Sequence, residues 1–161
     1  MSANRSPDDT PAMFAGVGAV VVAGGHVEWE LRRLLLWVRG KGPHHLPEVT
    51  RHLWSTLVQK IRAEAGQSTN ATDVLAVLDW ADQADLMKLR NMVVHAYWWV
   101  TPGQGIRANR HEKGGSGYIL IGTPADLTQI ADKLFTFAQR LREASSPDDR
   151  WPEAFLGGDD H

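Results

Sequence analysis

The sequence predicts an all-α protein, an antiparallel four-helix bundle with a small β-hairpin before its last helix. Three observations carry this. Apolar residues recur at three- and four-residue spacing over long stretches. Glycine- and proline-rich breaks separate those stretches by short links, the pattern of antiparallel neighbours. A single glycine-rich segment ending in Tyr118-Ile119-Leu120-Ile121 has strand character instead.

Residues 1–12 mix Ser, Pro, Asp and Thr without an apolar period and read as a flexible tail, so the helical domain is expected over 13–144. The first helix is clearest from Val27, where Val27, Leu31, Leu34, Leu35 and Val38 form a stripe. It extends back toward Phe14, although Gly24 and Gly25 weaken it. The apolar run Phe14 to Gly25 is shorter than the ~20 residues of a membrane span, so no membrane contact is expected. Gly16 and Gly18 do not make a phosphate loop, because Val21 takes the third glycine position and no strand precedes them. After Gly-Lys-Gly-Pro-His-His, a second helix is predicted from Leu46 to Ala65 on the stripe Leu53, Leu57 and Ile61, stopped by Gly66.

A third helix is predicted from Asn70 or Thr72 to Thr101-Pro102, since nothing in between is a breaker. Thr123, Pro124 and Asp126 then supply a cap, a first-turn proline and an acid at the positive end of the last helix. Its stripe is Leu127, Ile130, Leu134, Phe137 and Leu141, and Ser145-Ser146-Pro147 ends it. Residues 145–161 read as a second tail whose Trp151, Phe155 and Leu156 are suited to docking.

With 161 residues, one shared core is the default. Cysteine is absent, which excludes a disulfide framework, a thiolate metal site and a cysteine nucleophile, and points to a reducing cytoplasm. A formal net charge of −2 excludes nucleic-acid coating by bulk positive charge, so any such contact must be a local patch.

The informative residues lie late in the third predicted helix. With Arg90 set at zero and about 100° per residue, Tyr97 falls near −20°, Val94 near 40°, Asn91 near 100° and His95 near 140°. Arg90, Asn91, His95 and Tyr97 would then share one broad face, opposite a core stripe of Leu75, Leu78, Leu89, Val93 and Ala96. Asn91 is four residues before His95, a spacing at which its amide can orient the imidazole. An imidazole that trades protons near neutral pH, a guanidinium that grips phosphate and an amide that orients groups suit phosphodiester chemistry, and no carboxylate cage for a metal accompanies them. The same residues on a solvated helix face without function are the plain alternative.

Arg90-Asn91-x-x-x-His95-x-Tyr97 resembles the signature of the HEPN superfamily of small helical bundles, and the tyrosine two positions after histidine is similar to the HepT-like toxins of HEPN/MNT toxin–antitoxin pairs. The helical resemblance covers roughly Phe14 to Ala144. It implies a homodimer whose two motifs face each other as a metal-independent endoribonuclease, needing no cofactor, in the role of toxin or defence effector. It implies His95 as acid and base, Arg90 on the phosphate, Asn91 orienting, and Tyr97 as the residue modified with AMP by a nucleotidyltransferase antitoxin. The alternative within the resemblance is a non-catalytic dimer that binds nucleotide, RNA or a protein partner. The strand-forming segment before the last helix departs from the toxin branch, and Trp98 and Trp99 are expected to pack the dimer or that hairpin.

Other candidates are weaker. Arg107, Arg110, His111 and Lys113 form a basic cluster that suits RNA phosphates or simply keeps a hairpin tip soluble. His44, His45 and His52 read as a solvated loop rather than a metal site. Glu28, Glu30, Arg32 and Arg33 read as surface ion pairs, and Asp79, Asp82 and Asp85 as a solvated face or partners for arginines.

Overall fold

A computed structural model of the chain describes residues 9–65, 72–101, 105–112, 115–119 and 123–145. These residues are mostly helical: α1 (Asp9–Val38), α2 (Leu46–Val49), α3 (Trp54–Ala65), α4 (Thr72–Gln83), α5 (Leu86–Val94) and α6 (Pro124–Ala144). Between α5 and α6 the backbone forms strands β1 (Tyr97–Thr101), β2 (Gly105–Glu112) and β3 (Gly115–Ile119), paired antiparallel in the order β1-β2-β3.

Several elements differ from expectation. The first helix is already formed at Asp9, inside the segment read as a tail, and Gly24 and Gly25 lie within it without a break. Burial of Val20, Ala23 and Val27 on the same face outweighs the propensity cost of the glycines. Running on to Val38, α1 is long and apolar enough by length and composition to cross a membrane, unlike the shorter run Phe14 to Gly25. Phe14, Val21 and Val22 are exposed on it. It ends at Gly40, whose φ of +64° lets Lys41 N–H reach Leu36 C=O and its own N–H reach Trp37 C=O, both at 2.9 Å.

The predicted second helix is two helices, because residues 50–53 leave the helical path. Leu53, placed on the apolar stripe, is 73% exposed, and Trp54 takes the core position, stacked on Phe137 with centroids 5.8 Å apart. The predicted third helix is also broken. Asp85 adopts a left-handed conformation (φ 52°) with its N–H on Asp82 C=O, a backbone state that aspartate tolerates better than most residues. The helix then stops at Val94, and Tyr97-Trp98-Trp99-Val100-Thr101 runs as a strand, as its aromatic and β-branched content favours.

Contacts divide the chain into two compact units. One takes Met1–Val27 and Ala81–Thr136, with Met13, Val20, Ala23, Val27, Leu86, Val93, Leu127 and Leu134 buried. In it, Gly16 lets α6 approach so closely that a Cβ there would lie 2.8 Å from Leu127 Cβ. The start of α6 is closed reciprocally, as its sequence predicts. Asp126 N–H donates to Thr123 Oγ1 at 3.3 Å, and Thr123 N–H donates to Asp126 Oδ2 at 2.6 Å.

The other unit takes Glu28–Trp80 and Phe137–His161. Its core of Leu31, Leu34, Leu35, Leu57, Ile61, Leu78, Phe137 and Leu141 contains a charged network. Glu30 and Arg33 are 2% and 6% exposed, not the surface pair expected. Arg33 Nε donates to Glu30 Oε2 at 2.7 Å and Arg142 donates twice to Glu30 Oε1, at 3.0 and 2.7 Å. Arg33 also donates to Ser145 Oγ, which in turn donates to Arg142 C=O at 2.9 Å. Glu28 and Arg32 do pair, at 3.2 Å, and Asp79 receives Arg62 at 2.7 Å. His44 and His45 sit in a short 3-10 turn rather than an open loop, with His45 Nδ1 2.6 Å from Glu48 Oε1.

Two predictions follow from these charges. Glu30→Ala strands Arg33 in the core and is expected to cost about 3–5 kcal/mol, read from the urea midpoint; a loss typical of an exposed pair would contradict this account. Lys41, joined by His45, holds the Glu48 carboxyl at about 2 against an ordinary 4.5. A lowered acid stabilises the fold above its unfolded value and loses that contribution as pH falls toward its folded value. Glu48→Gln should therefore flatten the fall in Tm between pH 4.5 and about 2, and superimposable Tm–pH curves would contradict the role of this cluster.

Candidate functional site

Helix α5 is nine residues long and carries Arg90 and Asn91, with His95 as its C-terminal cap. Leu86 and Val93 are buried and hold the helix on its unit, while Met87, Asn91 and His95, spaced by four, form a row along another face. Met87 and His95 are exposed and Asn91 is half-buried.

Arg90 and Asn91 are brought together directly: Arg90 Nη1 donates to Asn91 Oδ1 at 3.0 Å. The bond turns the amide oxygen toward the guanidinium, so Asn91 holds Arg90 through its oxygen while its NH2 group keeps two donors. His95 is the residue that caps α5, with φ −101° and ψ 5°, and its backbone N–H still reaches Asn91 C=O at 3.1 Å. Its ring is therefore displayed at the helix end, one turn beyond Asn91, with its side chain exposed.

Tyr97 is not on this helix. It is the first residue of β1, opposite Asn109 of β2, so the helical projection that put it beside Arg90 fails after His95. The expected opposite stripe holds only in part: Leu78 and Val93 are buried, but Leu75, Leu89 and Ala96 are half-buried, and the break at Asp85 separates Leu78 from Val93. Arg107 and Arg110 are on β2, opposite Trp99 and Gly117, and Lys113 lies outside the described residues. Among the described residues no group of three or more His, Cys, Asp or Glu stands together to hold a metal.

Two residues with a bearing on the site were not recognised as such from sequence. Gly24 of α1 is buried, and a Cβ there would lie 3.1 Å from both Cγ and Nε of Arg90. Its sequence signal was a glycine in mid-helix, which by composition alone reads as a weakness. Trp98 donates its indole N–H to Val93 C=O at 2.9 Å. That carbonyl is among the last four of α5 and has no partner within the helix. The bond ties β1 to the end of α5 across the turn that carries His95.

Trp98→Phe keeps an aromatic ring but removes the donor, leaving the carbonyl to water. A loss of about 1 kcal/mol is expected, together with faster amide exchange at residues 95–97 than elsewhere in the fold; uniform exchange would show that the indole does not hold this turn. No protein-family model, curated protein or solved structure matches the chain.

Proposed function

We propose that the protein is a metal-independent endoribonuclease of HEPN type, acting as a homodimer in the cytoplasm, off the membrane, as a toxin or defence effector. The observation that supports it best is the arrangement at the end of α5: a half-buried arginine bonded to the adjacent asparagine, one turn before an exposed histidine. A guanidinium beside the helix end supplies positive charge suited to a phosphodiester, and an exposed imidazole there suits proton transfer with substrate.

In this reading cleavage is a single internal transfer. His95 removes the proton from a ribose 2′-hydroxyl, the 2′-oxygen bonds to the adjacent phosphorus, and the bond from phosphorus to the 5′-oxygen breaks. The leaving oxygen takes a proton back from His95, which restores the neutral imidazole, and the products end in a 2′,3′-cyclic phosphate and a 5′-hydroxyl. Arg90 holds the phosphate charge and Asn91 holds Arg90. The bundle arrangement of the helices and the hairpin belong to the same reading, as does pairing of two motifs across a dimer, for which Met87, exposed in the same row as Asn91 and His95, is a suitable apolar contact. Arg107, Arg110 and Lys113 serve as further phosphate contacts, and a nucleotidyltransferase antitoxin acting on Tyr97 is the partner.

Purified protein should cleave single-stranded RNA in EDTA, leaving cyclic phosphate ends, and should sediment as a dimer. His95→Ala should cut the rate at least 100-fold, in line with loss of general acid–base catalysis, without a change in Tm. Saturable RNA binding with no turnover, weakened in Arg90→Ala, would replace the nuclease with a binding protein; equal turnover by wild type and His95→Ala would remove the site altogether.

A further inference from the structure

We infer that Gly24 is a positioning residue for Arg90: α1 carries a glycine there because the stem of the phosphate-binding arginine runs across the helix at that point. The inference rests on the RNA-cleaving reading for its functional meaning and on packing alone for its structural one.

Three observations converge. Gly24 is buried in the middle of α1, and Arg90 is half-buried on α5 within the same unit. A Cβ at position 24 would stand 3.1 Å from Arg90 Cγ, 3.1 Å from Nε and 3.7 Å from Cδ, so it would meet three successive atoms of the one side chain. The neighbouring Gly25 has nothing within 4 Å of its would-be Cβ, so the crowding is specific to position 24.

The contact separates two meanings of a helical glycine. In open space an alanine is preferred to glycine, because glycine has more backbone freedom to lose. At Gly25 that preference is unopposed. At Gly24 it is opposed by contacts shorter than ordinary van der Waals separation, which the arginine stem must relieve by moving. The guanidinium is pinned at its far end to Asn91 Oδ1 at 3.0 Å. A shift of the stem by a few tenths of an ångström is therefore passed to a bidentate group whose use depends on direction, and for which misplacement is costly. Gly24 thus sets where the guanidinium sits without touching substrate.

The test is a pair of double-substitution cycles. The probe is a 2′-O-methyl RNA oligonucleotide, which lacks the attacking hydroxyl and reports binding without turnover. Gly24→Ala should weaken its binding by about 5–10-fold, and Gly25→Ala should leave it unchanged. In an Arg90→Ala background Gly24→Ala should cause no further loss, because the atoms it would displace are gone. In parallel, Gly25→Ala should raise Tm by roughly 2–4 °C, Gly24→Ala should fall short of that gain, and Gly24→Ala in the Arg90→Ala background should recover it. Binding losses that add independently, or a Tm gain for Gly24→Ala equal to that of Gly25→Ala, would overturn the inference. If wild type binds no RNA but the Tm cycle shows the coupling, the RNA reading fails and the packing relation between Gly24 and Arg90 stands.

Discussion

Val93 C=O has no acceptor role inside its own helix, and the indole N–H of Trp98 fills it from the next element. This bond requires the chain to leave α5 and return within five residues. His95 must then sit at the cap, displayed at the end of the helix rather than on its side, and Tyr97 must open a strand. The chemistry available at the site follows from that turn. With α5 closed at Val94, Tyr97 leaves the helix, while Arg90 and Asn91 stay on it and bond to each other.

The same unit shows how glycine placement sets what can approach α1. Gly16 admits Leu127 of α6 and Gly24 admits Arg90 of α5, at separations no Cβ would permit comfortably. These two glycines lie in a helix otherwise held by buried Val20, Ala23 and Val27. Their cost in helix propensity is offset by the burial they allow, which is how a 30-residue helix with four glycines stays unbroken. In the other unit the organising contact is electrostatic, a buried carboxylate shared between Arg33 and Arg142. Removing water from Glu30 is costly, and the three hydrogen bonds it accepts are what make its burial tolerable.

Recognition of the motif depended on spacing, and spacing survives a change in the element that carries it. Arg90 and Asn91 lie on a helix as a helical reading puts them, and His95 follows as its cap, because α5 runs to Val94. The helical placing of Tyr97 did not survive, because Ala96-Tyr97-Trp98-Trp99 has no glycine or proline to mark where the helix ends and the strand paired with β2 begins. The break at Asp85 was equally hidden. Aspartate reaches a left-handed backbone often enough to end a turn, but too rarely for a sequence to announce it.

The sequence by itself determined the mostly helical class, the reciprocal cap and full apolar stripe of α6, the stop after Val38 and the placing of Arg90 and Asn91 on one helix. Each of these is local: it depends on periodicity within a helix or on hydrogen bonds spanning three to five residues. Only the tertiary structure decided that Glu30 and Arg33 are core residues, that Trp54 replaces Leu53 against Phe137, that Trp98 closes α5 and that Gly24 makes room for Arg90. Those outcomes pair residues from different elements, and which side chain meets a buried charge, an orphan carbonyl or a missing Cβ is settled by how elements pack rather than by the pattern within any one of them.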